Sequence, residues 1–89
     1  MKSHTTAAFR DLLSKLPARA RKDAHKAWRL WQADSSVPGL QFKKLKLRGN
    51  CWSVRVNDDF RTVGVMRDDA IIWFWIGSHG DYERLLKGM

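Results

Sequence analysis

Cysteine occurs once in this chain, at Cys51. A single thiol makes neither a disulfide framework nor a thiolate cluster for zinc, and the default expectation for such a chain is a reducing, cytoplasmic environment. Acidic residues are also scarce, nine Asp and Glu against seventeen Lys and Arg. The acidic pairs Asp58-Asp59 and Asp68-Asp69 fall between strand-like runs, where Asp is favoured by turn chemistry, so they are not read as metal ligands. No stretch approaches the roughly 18 consecutive apolar residues of a membrane span. The N-terminal MKSHTTAAFRDLLSKL carries charges inside a helical apolar period and has no continuous apolar core, so it is read as a soluble, unprocessed segment. There is no repeat at the roughly 20–50-residue period of solenoids and no low-complexity tract.

What the chain does have is apolar mass and positive charge. It has 89 residues, 44% of them apolar, with five Trp. That is enough for one compact core, and residues 1–89 are expected to form a single domain. The formal net charge is +8. Such an excess calls for a polyanionic partner: nucleic acid first, an acidic protein second, a membrane surface third.

The chain divides at Asp34-Ser35-Ser36-Val37-Pro38-Gly39, a plain breaker. Upstream, residues 2–6 are short and β-permissive, compatible with an edge strand. Phe9, Leu12, Leu13 and Leu16 fall at i, i+3, i+4 and i+7, one apolar face of a helix that Pro17 ends. Pro17 can itself begin a second helix, in which Ala20, Ala24, Ala27 and Trp31 form a buried stripe and Arg19, Lys22, Lys26 and Arg29 a basic one. Downstream, four strand-like runs (Leu40 to Leu47, Cys51 to Val56, Phe60 to Met66, Ala70 to Ile76) are separated by short polar turns suited to antiparallel hairpins. The run AIIWFWI at 70–76 is apolar on both faces, which places it inside the sheet. A loop, Gly77-Ser78-His79-Gly80-Asp81-Tyr82, is expected to follow it, with Asp81 capping a short helix from Glu83 to Lys87. The expected fold is α+β: two N-terminal helices covering one face of a four-stranded antiparallel meander, plus the terminal helix.

Strand alternation assigns side chains to faces. Trp52, Val54 and Val56 share one face and Ser53 and Arg55 the other; Arg61, Val63 and Val65 share a face opposite Phe60, Thr62, Gly64 and Met66. The segment from Leu40 to Leu47 breaks parity, since Leu40 and Phe42 alternate in one register and Leu45 and Leu47 in the other. A bulge or bend near Lys43 and Lys44 explains this, as does a frayed strand end. The basic stripe on the second helix is most simply a solvated face. The set Lys43, Lys44, Lys46, Arg48, Arg55 and Arg61 gathers on the sheet near His79 and Tyr82, and that is how a phosphate-binding groove is built.

A basic cleft with His and Tyr but no carboxylate cluster points to metal-free phosphodiester chemistry, with no cofactor. RNA carries its own nucleophile, the 2′-OH. A protein need only orient it, take its proton, neutralise the phosphorane and protonate the 5′ leaving oxygen. His79 and Tyr82 are candidates for the proton transfers, and Arg61 and Arg55 for the charge, where a bidentate guanidinium outperforms an ammonium. Each has a structural alternative. His79 also suits a turn, Tyr82 also suits an anchor packed on Trp73 or Trp75, and the tryptophans are mainly core with one exposed ring free to stack a base. His4 and His25 lack partners at ligand spacing and receive no role.

These residues together resemble the RelE/ParE superfamily of bacterial type II toxin-antitoxin systems. The resemblance lies in Phe9 to Pro17 (FRDLLSKLP), Pro38-Gly39-Leu40 leading into Phe42-Lys43-Lys44-Leu45, Trp52-Ser53-Val54-Arg55-Val56, Phe60-Arg61, and Ile76-Gly77-Ser78-His79-Gly80-Asp81-Tyr82. It runs over nearly the whole chain and rests on the order and spacing of the segments. It implies a microbial-RNase-like fold and an acidic antitoxin over the basic surface. For the RelE-like branch it implies ribosome-dependent cleavage of mRNA, an endoribonuclease that inhibits translation. Arg61 matches the arginine of the family's aromatic-Arg motif, Arg55 matches a basic strand position, and His79 and Tyr82 fall where members carry His, Arg or Tyr. Lys43, Lys44, Lys46 and Arg48 would bind RNA. Ser53 departs from the pattern, standing where RelE has a basic residue. The ParE branch shares the fold, generally lacks this catalytic set, and poisons DNA gyrase, which leaves gyrase inhibition or a non-catalytic binding role as the alternative.

Overall fold

The computed structural model describes residues 1–46 and 49–88. The chain runs β1 (Lys2–Thr5), α1 (Ala7–Ser14), α2 (Ala18–Ala33), a single 3₁₀ turn (Pro38–Leu40), β2 (Lys43–Lys44), β3 (Cys51–Arg55), β4 (Phe60–Arg67), β5 (Ala70–Ser78) and α3 (His79–Gly88). The five strands form one sheet in the order β1-β5-β4-β3-β2.

Thr6 starts α1, its hydroxyl accepting the Phe9 N–H at 3.0 Å, which satisfies one of the donors a helix start leaves unpaired. The helix stops before Pro17 as its sequence requires, and the Arg21 N–H reaches back to the Pro17 carbonyl at 3.1 Å to open α2. Both helices lie on one face of the sheet. Phe9 from α1 and Ala27 and Trp31 from α2 join Leu40, Val54, Ile71, Trp73 and Ile76 in a buried cluster. Trp31 meets Phe42 and Trp73 edge-on, at 5.7 and 5.5 Å between ring centroids, a favourable geometry for aromatic quadrupoles. The opposite face carries a second cluster of Leu45, Cys51, Val63 and Tyr82, against which Phe74, Trp75, Leu85 and Leu86 pack. Helix α3 covers this side.

Three expectations need correction. The sheet is five-stranded and mixed, because β1 pairs in parallel with β5, from Lys2 opposite Ala70 to Thr5 opposite Trp73. Residues 2–6 thus supply the edge strand that makes β5 an interior one. The run from Leu40 to Leu47 holds a strand of only two residues, Lys43 and Lys44. Gln41 ends the 3₁₀ turn in the left-handed region at φ 47°, and the chain then passes Leu40 and Phe42 to one cluster and Leu45 to the other. That is the physical content of the parity break; Leu47 and Arg48 lie outside the described residues. Finally, no loop separates β5 from α3. The strand runs to Ser78 and the helix begins at His79, with the Ser78 hydroxyl accepting the Asp81 N–H at 3.1 Å. The cap is therefore Ser78, while Asp81 lies in the first turn, where its charge suits the helix N-terminus, and pairs with Arg84.

Register on β4 and β5 shifts between Val63 and Gly64, where Val63 faces Trp75 and Gly64 faces Trp73. The extra residue, Phe74, lets both Phe74 and Trp75 turn toward the α3 side, as a bulge permits. Gly64 is required by its neighbours: a Cβ there would lie 2.7 Å from the Trp73 ring and 2.9 Å from Ile71.

Candidate active site

The β3–β4 hairpin brings the two candidate arginines together. Arg55 and Arg61 are direct cross-strand partners, which by backbone alternation starts both from the face of Ser53 and Val63; at the open edge of β3 Arg55 also lines a cleft with Asp23, Lys26 and Leu30 of α2 and Gly39 of the 3₁₀ turn. Like charges placed opposite each other repel, and the hairpin turn supplies the compensation. The Asp58 carboxylate accepts from Arg55 Nη2 at 2.5 Å, and Arg55 Nη1 extends toward the Gly39 carbonyl at 3.5 Å. Arg61 Nη1 donates to the carbonyls of Asn57 at 2.6 Å and Phe60 at 3.0 Å. Asn57 fixes the turn: its Oδ1 accepts the N–H groups of Asp59 and Phe60 and its Nδ2 donates to Asp23 of α2 at 2.9 Å. The hydrogen bond from Arg55, then the charges of Arg55 and Arg61, hold the Asp58 carboxyl below its ordinary value.

The start of α3 is built onto the same end of the sheet. Arg61 pairs with Gly77 and Phe60 with Ser78, and the His79 N–H donates to the Asp59 carbonyl at 2.7 Å. The His79 imidazole is half exposed and lies with Nε2 3.2 Å from Glu83 Oε1, one helical turn on. A carboxylate in that position orients the ring. Tyr82 points the other way. It is 5% exposed, its hydroxyl donates to Ser53 Oγ at 3.2 Å, and its ring lies 6.4 Å from that of Trp75 and 6.1 Å from that of His79. Proton transfer by Tyr82 would require this buried contact to open, whereas anchoring the first turn of α3 requires nothing further.

The lysines divide. Lys43 stands opposite Ser53 and Lys44 opposite Trp52, so the two side chains leave opposite faces of the sheet, Lys43 toward the arginines and Lys44 toward the α2 side. Both are exposed, as is Lys46 in the bend that follows; Arg48 lies outside the described residues. On the α2 side Trp52 stacks on Phe42 at 4.6 Å. Among the described residues no group of three or more His, Cys, Asp or Glu is placed to hold a metal ion, and no helix is long and apolar enough to cross a membrane.

Sequence reasoning missed two participants. Asp58 reads from the sequence as turn chemistry alone, although it stands three residues from Arg55. Glu83 is not legible as a partner of His79 while the expected helix begins at Glu83; the i, i+4 spacing becomes meaningful only once His79 is helical.

This sheet-and-helix topology is shared by a known class of small toxins. The family model described as ParE-like toxin domain matches residues 18–84, and the chain belongs to that family. Its fold is that of solved toxin structures. RelE in the RelB-RelE antitoxin-toxin complex from Methanococcus jannaschii superposes with a TM-score of 0.73 at 20% identity, covering 92% of this chain and 96% of that one. The YoeB/ParE toxin from Agrobacterium tumefaciens gives 0.69 at 18% identity over 89% and 99%, and YafQ from E. coli gives 0.67 at 10% identity over 91% and 96%. No curated protein sequence matches the chain.

Proposed function

We propose that this toxin is a ribosome-dependent mRNA endoribonuclease. The observation that carries the reading is the in-register pair Arg55 and Arg61 at the sheet end from which His79 emerges. In this scheme the guanidiniums hold the scissile phosphodiester and neutralise the charge that builds on the phosphorane. The 2′-hydroxyl of the upstream nucleotide attacks phosphorus, its proton passes to a base, and the bond to the 5′-oxygen breaks as that oxygen is protonated. This leaves a 2′,3′-cyclic phosphate and a 5′-hydroxyl. His79 is the group placed for proton transfer, with Glu83 orienting its ring. Tyr82 serves as a positioning residue that seats α3 on the sheet. Lys43 and Lys46 extend the positive surface along the path of the RNA.

The assignment to ribosome-bound message follows the resemblance to the RelE-like branch, and in this reading the ribosomal environment supplies the second proton transfer. An acidic antitoxin segment docked over the arginines would both pair the charge and block the site, with affinity falling as salt rises. An antitoxin partner is supported by solved structures of the same fold that are RelB–RelE complexes. The ParE-like family match supports a second reading, inhibition of DNA gyrase through surface contacts.

The test is cleavage of a defined mRNA on programmed ribosomes, beside Arg61→Ala and His79→Ala. A-site cleavage that leaves a 2′,3′-cyclic phosphate and is lost in both variants is the expected result. An intact message from a protein that still arrests growth would transfer the assignment to gyrase.

A further inference from the structure

Arg55 and Arg61 stand opposite each other in backbone register, and the turn that joins their strands provides a counter-ion, Asp58, hydrogen-bonded to Arg55. The Asp58 side chain is 91% exposed while that of Arg55 is 28% exposed. The carboxylate can therefore swing into water while the guanidinium stays walled. The turn backbone would not follow, since Asn57 holds it through the Asp59 and Phe60 N–H groups and through Asp23. Carboxylate and phosphate present the same acceptor geometry to an arginine fork. We propose that Asp58 is an intramolecular stand-in for a phosphodiester on the Arg55–Arg61 pair, a specificity-determining residue that any polyanion must displace to be bound.

This inference rests on the reading of the arginine pair as the phosphodiester site. An exposed ion pair is a weak competitor. A backbone phosphate that engages Arg61 together with Arg55 gains two charge-assisted contacts for the one it breaks. An isolated anion that reaches only Arg55 exchanges one contact for another and gains little. Asp58 thereby favours continuous RNA over scattered monoanions and keeps the two guanidiniums from repelling each other when the site is empty.

The experiment measures binding of a 2′-O-methyl single-stranded RNA, which lacks the nucleophile, by fluorescence anisotropy at fixed low salt. Asp58→Asn is compared with Asp68→Asn, which removes the same charge from the turn at the far end of β4; Asn is well accepted in both turns. The expected result is binding about fivefold tighter for Asp58→Asn, against less than about twofold for Asp68→Asn. The gain should vanish in an Arg55→Ala background. Equal gains for the two Asn variants, or weaker binding by Asp58→Asn, would overturn the inference. If Arg55→Ala alone weakens binding while the two Asn variants match, only the role of Asp58 fails. If neither Arg55→Ala nor Arg61→Ala changes affinity, the phosphodiester reading of the pair fails with it.

Discussion

The two faces of the sheet are made of the same strands and do different work. The face under α1 and α2 buries aromatic and aliphatic side chains around an apolar cavity of about 310 Å³ lined by Phe9, Leu13, Trp31 and Trp73; Ser3 Oγ accepts from both Trp28 Nε1 at 3.1 Å and Trp73 Nε1 at 2.9 Å, while the buried Trp31 Nε1 has no hydrogen-bond partner among the described residues. The face under α3 is closed only part of the way along. Toward the β3–β4 turn its side chains become Arg55, Arg61 and Asp58, whose partners are backbone carbonyls and one another. Burial of apolar surface supplies the stability of such a domain, and charges left at a partly open edge contribute little to it. Damage to the helical face should therefore unfold the protein, and damage to the arginine end should disarm it.

The largest effect is expected at Trp31→Ala, which empties the centre of the helical face and should cost about 3–5 kcal/mol in urea unfolding, enough to leave a domain of this size marginal. Next is Gly64→Ala. The added methyl meets the Trp73 and Ile71 side chains inside van der Waals distance and should cost about 1–3 kcal/mol by overpacking. Tyr82→Phe sharpens the comparison on the α3 side. Loss of the buried hydroxyl from Ser53 should lower stability by about 1 kcal/mol, while single-turnover cleavage stays within about twofold of wild type, because removal of a positioning contact leaves the reacting groups in place. A far larger loss of rate with stability intact would make Tyr82 a proton carrier.

The smallest effect concerns acid. Asp58 has its carboxyl lowered from 3.8, first by the Arg55 hydrogen bond, so the fold favours the ionised form. Its contribution to stability is complete above 3.8 and falls away as pH drops through the lower folded-state value. The stability difference between wild type and Asp58→Asn should accordingly be larger at neutral pH than at about pH 2, and small throughout because the pair is exposed.

Much of this division was legible in the sequence. Alternation within β3 set Arg55 apart from Val54, and within β4 set Arg61 apart from Thr62 and Met66, while the hairpin register that puts the two arginines opposite each other came from the structure; the parity break between Phe42 and Leu45 marked where the chain passes from one cluster to the other. What escaped depended on partners distant in sequence. Residues 2–6 read as a possible edge strand, but nothing local named its partner, and the parallel pairing with β5, some seventy residues on, is what makes the sheet five-stranded and mixed. The Gly-Ser-His-Gly segment read as a loop because two glycines bracket it. Gly77 is instead a strand residue opposite Arg61, where a Cβ would lie 2.7 Å from the Trp75 ring. A close approach inside a sheet and a free turn use the same residue for different reasons.

The most direct test of the account pairs two numbers for Arg61→Ala: its unfolding free energy and its single-turnover rate of cleaving ribosome-bound mRNA. The account requires stability within about 1 kcal/mol of wild type together with a rate reduced by about 10²–10³-fold. Cleavage that persists at the wild-type rate in a folded Arg61→Ala protein would contradict it.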